Sequence, residues 1–178
     1  GLPAPEEMES AVKRDIEQLQ TLQNDDGGFP YWSRRRESIP FNTVHVAHAL
    51  QRAESMDFAV PADMRSRVLD YLRQIEGYYP SWYGEDTRHT VSAYALYVRH
   101  LMGDGDAAKA KKLLNTAGLE KLSLDAAAWL WQVLLDDSGS AAEVEAIARH
   151  IANRAVETAG AANFTTAYSD QAYLLLRS

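Results

Sequence analysis

The sequence predicts an all-α protein: a partial α/α toroid of helical hairpins, with about seven helices and an irregular C-terminal segment. Three observations predict it. Apolar residues recur at three- and four-residue spacing through most of the chain, the period of a helix face rather than of a strand. Helices with one apolar face alternate with helices that are apolar almost all round. Similar texts return at a loose period of roughly 35–45 residues, the range of helical solenoids and closed helical rings.

The first helix is expected over residues 6–23, where Met8, Val12, Ile16, Leu19 and Leu22 form one stripe. Acids crowd its first turn, where the helix dipole favours them, and Asn24-Asp25-Asp26-Gly27-Gly28 stops it. An aromatic loop follows, Phe29-Pro30-Tyr31-Trp32. Asn42 or Thr43 is expected to cap the second helix, which runs to about Met56 and belongs inside. Pro61 opens the third, over 61–76, whose stripe is Met64, Val68, Tyr71, Leu72 and Ile75, with charged residues between. A second aromatic loop, Tyr78-Tyr79-Pro80-Ser81-Trp82-Tyr83-Gly84, leads to a fourth helix from Thr87 or Arg88 to Met102. The fifth, over 106–117, is short and one-faced, with Gly118 as its C-terminal cap. Ser123 caps a sixth, over 123–137, the most apolar of all through Ala126-Ala127-Ala128-Trp129-Leu130-Trp131. Ser140 caps a seventh, expected over 140–158. Residues 162–178 read as irregular, because Phe164-Thr165-Thr166 and Tyr173-Leu174-Leu175-Leu176 favour extended structure as much as helix.

The helices over 6–23, 61–76, 106–117 and 140–158 show one face to water, and those over 42–56, 88–102 and 123–137 do not. One-faced helices outside and greasy ones inside is the arrangement of an α/α toroid. Four outer helices need about as many inner ones, and only three are present. The whole of 1–178 is therefore expected to be a single incomplete toroid domain, excised from a much larger multidomain protein.

Composition narrows the function classes. The formal charge is -7, and a negative chain repels phosphate backbones, so nucleic acid is not an expected partner. The basic run Arg34-Arg35-Arg36 is followed at once by Glu37 and reads as a solvated loop. There are no cysteines, which removes thiolate metal sites, disulfides and thiol nucleophiles. The longest unbroken aliphatic run is Leu174-Leu175-Leu176, far short of the ~20 residues that span a bilayer, so no direct membrane contact is expected. Gly1-Leu2-Pro3-Ala4-Pro5-Glu6-Glu7 has neither the basic start nor the apolar core of a secretion signal, and the absence of an initiator Met suggests a processed or excised piece.

Few side chains point to chemistry. His45 and His48 share a helix face, but a zinc site needs a third ligand, so packing is favoured and no metal is expected. No cofactor is implied: Gly27-Gly28 is a lone pair rather than a phosphate cradle, and no Gly-x-Ser-x-Gly occurs. Asp25-Asp26 and Glu85-Asp86 sit in loops expected at one end of the ring, where paired acids can do proton chemistry. Asp also favours turns and helix starts, and all four positions fit that simpler role. The aromatic loops would rim the same end. Phe29, Tyr31, Trp32, Tyr79, Trp82 and Tyr83 are the binding candidates, for a ligand, a partner domain or the mouth of the ring itself.

Gln23-Asn24-Asp25-Asp26-Gly27-Gly28-Phe29 is similar to the loop signature of the terpenoid-cyclase and prenyltransferase toroids. Within that superfamily the text most resembles the thioester domain of bacterial alpha-2-macroglobulins, a complement-like domain. Four stretches carry the resemblance: residues 26–32; Val46-Ala47-His48-Ala49-Leu50 followed by Val60-Pro61; Ser92-Ala93-Tyr94-Ala95-Leu96-Tyr97-Val98-Arg99; and residues 157–178.

The resemblance implies part of a large secreted or periplasmic protease trap, in which bait cleavage exposes an internal Cys–Gln thioester that acylates the attacker. The implied partners are the other domains of the parent protein and target proteases, and the chain is not expected to be an enzyme. The reactive Cys followed by Glu-Gln is absent here; in the family it lies upstream of the Gly-Gly-Phe loop, and family sequences also continue past Leu176-Arg177-Ser178. Either the thioester lies outside this chain or the parent lacks one. Complement relatives use a downstream His as an acyl relay, and Glu85-Asp86-Thr87-Arg88-His89 falls in roughly that region, which makes His89 the relay candidate. Two alternatives stay open: a toroid-fold enzyme of the cyclase or prenyltransferase kind, whose zinc site would need a Cys absent here, and a protein- or glycan-binding module using the aromatic loops.

Overall fold

The computed structural model describes residues 4–31, 33, 36–158 and 161–164. Seven α-helices occur in it: α1 (Pro5–Leu22), α2 (Pro40–Ser55), α3 (Ala62–Arg73), α4 (Glu85–Leu101), α5 (Ala107–Ala117), α6 (Leu124–Leu135) and α7 (Ala141–Ala152). Short 3-10 turns occupy Ile75–Tyr78, Leu119–Lys121 and Ser138–Ser140. An antiparallel hairpin, β1 (Ala155–Thr158) and β2 (Ala161–Phe164), follows α7, with Ala155 opposite Phe164 and Thr158 opposite Ala161. The chain divides into two compact units, one ending at Tyr78 and the other beginning at Tyr79.

In the first unit, α1 starts on Pro5, and the Glu7 carboxylate reaches back to the Ala4 amide at 3.1 Å. Proline suits a helix start because its missing N–H has no intrahelical acceptor there. Helix α2 also starts on a proline, Pro40, two to three residues before the expected caps Asn42 and Thr43. The Thr43 hydroxyl caps nothing. It donates to the Ile39 carbonyl and accepts the Phe29 amide, both at 2.9 Å. Thr43→Ala is therefore expected to orphan a buried backbone N–H and to destabilise the first unit by about 1–3 kcal/mol in urea unfolding. Nor is α2 wholly internal: Val44, Ala47 and Leu50 are buried, whereas His45, Ala49 and Arg52 are exposed. Helix α3 buries Met64, Val68, Leu69, Tyr71 and Leu72 and exposes Asp63, Ser66, Asp70 and Arg73, the one-faced pattern its sequence carries.

In the second unit, α6 packs against α4 on one side and α7 on another, and α5 lies against both α4 and α6. The core is built from Leu96, Leu114, Leu122, Leu130, Val133, Leu134 and Ile147, with Ala93, Ala110, Ala126 and Ala127 between them. Alanine at those four positions lets helix axes approach closely while the leucines fill the gaps. Helix α4 is the most enclosed, with every residue from Val91 to Leu96 buried. Helix α6 keeps Trp129 and Trp131 only half-buried, so its outer side also reaches solvent, as Arg65 of α3 does. Greasy and one-faced helices thus differ in degree of enclosure rather than dividing cleanly into inside and outside.

Local capping accounts for several ends. Ser123 accepts the Ala126 amide at 3.2 Å, Asp106 accepts the Lys109 amide at 3.0 Å, and Gly118 closes α5 at φ 78°. The end of α7 differs from expectation. It stops at Ala152 rather than 158, and 155–158 form β1. Val156 and Thr158 are β-branched, and β2 offers hydrogen-bond partners that no helical pattern reveals. Residues 161–164, expected to be irregular from 162, are strand, and 165–178 lie outside the described residues.

Candidate functional site

The loop after α1 is a tightly bonded knot. Gln23 is buried, and its Nε2 donates to the carbonyls of Gly27 and Met64, both at 3.0 Å. Asn24 Nδ2 donates to Arg36 O at 2.8 Å and contacts Ser38 Oγ at 2.9 Å. Asp26 Oδ1 accepts the Gly28 amide at 2.9 Å and the Ser38 hydroxyl at 2.8 Å. Gly27 lies at φ 86°, where a β-carbon would stand 2.2 Å from the Arg67 carbonyl oxygen. At Gly28 a β-carbon would meet Ser38 and Tyr71 at 2.6–2.7 Å. Both glycines are therefore required for α1, α3 and the loop to touch.

This geometry accounts for the acids. Asp26 braces the loop, so one of its oxygens is committed to structure. Glu85 and Asp86 are exposed in the first turn of α4, and they belong to the other unit. The carboxylates thus behave as turn and helix-start residues.

The aromatic candidates divide by burial. Phe29 is 2% exposed, and Tyr83 is also buried, so neither ring offers a free face. Tyr31 is half-buried, and Trp32 lies outside the described residues. Tyr79 is half-buried, with its hydroxyl 2.7 Å from Ser92 Oγ. Arg88 Nε donates to the Tyr83 carbonyl at 2.9 Å, which fastens the loop to α4. Trp82 is the outward-facing ring, 66% exposed, edge-on to Tyr83 with centroids 4.6 Å apart. His89 is half-buried on α4, one turn after the helix begins.

Other titratable groups add little reactivity. Burial, then repulsion from His45 and Arg52, lowers the pKa of His48, so it favours the neutral imidazole. Burial and then Tyr97 push the Tyr94 hydroxyl up to about 12, and its ring stacks on Trp129 at 4.4 Å. A phenol so placed stays protonated at neutral pH and is a poor base. Among the described residues no group of three or more His, Asp or Glu side chains is arranged to hold a metal ion. No helix among them is long and apolar enough to cross a membrane.

Several key residues carry no plain sequence signal. Gln23 is legible only as part of the loop text and Thr43 only as a helix cap, and neither reading shows the backbone groups they bond. Arg99 is buried although arginine is usually exposed.

No protein-family model matches the chain. In sequence it is 32% identical over 69 residues to alpha-2-macroglobulin of Rickettsia conorii, a stretch covering 38% of this chain and 4% of that relative. In structure it is similar to native Escherichia coli alpha-2-macroglobulin spanning domain MG7 to the C-terminus. The TM-score is 0.74 at 21% identity, over 85% of this chain and 25% of that one. The chain is similar to bacterial alpha-2-macroglobulins, in sequence over that stretch and in fold over most of its length. Salmonella alpha-2-macroglobulin reacted with methylamine gives the same TM-score, 0.74, at 20% identity over 86% of this chain and 10% of that one. The alpha-2-macroglobulin fold thus accommodates most of this chain, while the chain spans a small part of each relative's length.

Proposed function

We propose that this chain is part of the thioester-bearing toroid domain of a bacterial alpha-2-macroglobulin-like protease inhibitor, a covalent protease trap whose thioester lies outside these residues. The observation that carries the proposal is the TM-score of 0.74 over 85% of the chain against a structure that begins at MG7. The solved relatives include an E. coli protein activated by trypsin and a Salmonella protein reacted with methylamine. Protease triggering and reaction with a small amine are what a bait-gated acyl thioester would produce. The chain has no Cys, so its own residues cannot form that bond. Its role is to scaffold and shield the thioester, with loops such as the one bearing Trp82 meeting neighbouring domains of the parent. The parent would act in the periplasm or outside the cell, and this chain would not itself be an enzyme.

The test uses the full-length parent. Incubated with trypsin, it is expected to form an SDS-stable conjugate with the protease. Methylamine pretreatment should abolish the conjugate, and labelled methylamine should enter the parent but not residues 1–178 alone. A parent that leaves trypsin fully active on large substrates overturns the inhibitor reading. Inhibition without methylamine incorporation overturns the thioester part.

His89 is proposed as the acyl relay, supported by its partial exposure near the start of α4. The intact parent is expected to give a higher ratio of ester to amide conjugates than His89→Ala, and an equal ratio removes His89 from the chemistry.

A further inference from the structure

Helix α6 carries an apolar seam that this chain leaves open. Leu124, Ala128, Trp131 and Leu135 recur at spacings of four, three and four. At about 100° per residue they share one sector of the helix, about 60° wide and about 16 Å long. Leu124, Ala128 and Trp131 are half-buried, and Leu135 is 47% exposed. The Trp131 ring leans on the core while its indole N–H is enclosed and finds no acceptor among the described residues. An enclosed indole N–H ordinarily has one.

The remaining sectors of α6 are accounted for. Ala126, Ala127, Leu130, Val133 and Leu134 are buried in the core shared with α4, α5 and α7. Trp129 stacks on Tyr94 of α4 at 4.4 Å, and it lies about 130° around the helix from the seam. Between Trp129 and the seam come Asp125 and Gln132, both exposed. The helix thus has a polar sector that meets water, and the seam is not needed for that purpose. No charged residue interrupts the seam.

We propose that the seam seats a further helix of the parent protein, packed along α6 on the flank away from Trp129, as α4 packs on the flank that bears it. This rests on the reading of the chain as part of a larger toroid domain. A straight seam about three turns long matches the ridge of a second helix, and Ala128 near its middle lets the two axes approach. The occupant must be apolar along its contacting stripe, because a charge set against this seam would lose water and gain no partner. The solved alpha-2-macroglobulins leave ample chain to supply it, since this chain covers only 25% and 10% of two of them.

The test is photo-cross-linking in the full-length parent, with Leu135 replaced by benzoylphenylalanine and the products mapped by mass spectrometry. The expected product joins residue 135 to a segment outside residues 1–178 whose apolar residues recur at helical spacing. The same probe in place of Gln132 should give several-fold less of it. A second measurement covers the case in which the probe disturbs folding. Hydrogen exchange of α6 amides in the parent is expected to quicken about tenfold in Leu135→Lys and to stay unchanged in Gln132→Lys. A cross-link to residues 165–178, to a second copy or to a segment without helical spacing overturns the proposal. So does the absence of any cross-link, or equal exchange in the two lysine variants. Trypsin conjugation by the unmodified parent is scored separately. Conjugates without this cross-link remove the seam proposal alone, and the cross-link without conjugates removes the inhibitor reading alone.

Discussion

Gly27→Ala is expected to cost the first unit about 2–5 kcal/mol, the sum of a left-handed backbone penalty and an overpacked contact. The added carbon would lie 2.2 Å from the Arg67 carbonyl oxygen and 2.7 Å from its carbon. Both are backbone atoms of α3, so no side-chain rotation relieves the contact. Relief requires α3 to move, which strains the Gln23 bond to Met64 O and the contact of Arg67 Nη1 with Asn24 O at 3.4 Å. Against a typical total stability of about 5–15 kcal/mol, such a loss is severe. Two other glycines separate the causes. Gly118 shares a positive φ, 78°, with ψ 127°, but meets nothing within 4 Å, so Gly118→Ala should show the backbone penalty alone, about 1–3 kcal/mol. Gly77 has neither constraint, and its Ala variant should fall within about 1 kcal/mol of wild type. Urea midpoints of the three variants measure the series. A Gly27→Ala midpoint equal to that of Gly77→Ala would show that the approach of loop and α3 is not tight.

The second large effect is expected at Arg99. This guanidinium is 7% exposed, with Nε donating to Asp104 Oδ2 at 2.7 Å and Nη2 reaching Asp106 Oδ2 at 3.5 Å. Asp106 also caps α5, so one cation ties the end of α4 to the start of α5 across the turn at Gly103. Arg99→Ala leaves two neighbouring carboxylates without their shared cation and opens a void beneath the stem. A cost of about 2–4 kcal/mol is expected, below that of a fully enclosed pair because both aspartates keep some contact with water. Arg99→Met should recover the packing part. Combining it with Asp104→Asn should recover more, because one of the two neighbouring like charges is then removed. Denaturant unfolding of the single and double variants gives the coupling between the two sites. A loss under about 0.5 kcal/mol for Arg99→Ala would mean that the pair is solvated and contributes as little as a surface salt bridge.

Arg99 and Gly27 also mark where reading by residue type succeeds and fails. A stop of α1 at Asn24-Asp25-Asp26-Gly27-Gly28 is plain from local chemistry, and so are the caps Gly118 and Ser123, whereas Ser140, expected to cap α7, gives its hydroxyl to Asp137 instead. That Gly27 must be glycine because α3 lies against it is not plain, since Arg67 is forty residues away in the chain. Arg99 looks like the polar end of an amphipathic helix, and only the return of Asp104 and Asp106 around the turn makes its burial tolerable. The aromatic loops show the same divide. Their composition marks them as special, yet it does not distinguish Phe29 and Tyr83, which are buried, from Trp82, which faces water.

Seven helices, their approximate order and the stripe that α3 buries follow from local pattern, because a 3.6-residue period and an end cap involve neighbours within one or two turns, whereas the solvent-facing sides of α2 and α6 do not. The α7-to-β1 change at residues 152–155, the bracing role of Asp26 and the use of Thr43 as an acceptor for Phe29 depend on partners that the chain brings in from elsewhere. A buried polar group must find a partner wherever the fold supplies one, and a strand exists only beside another strand. Those choices belong to packing, which a one-dimensional pattern does not contain.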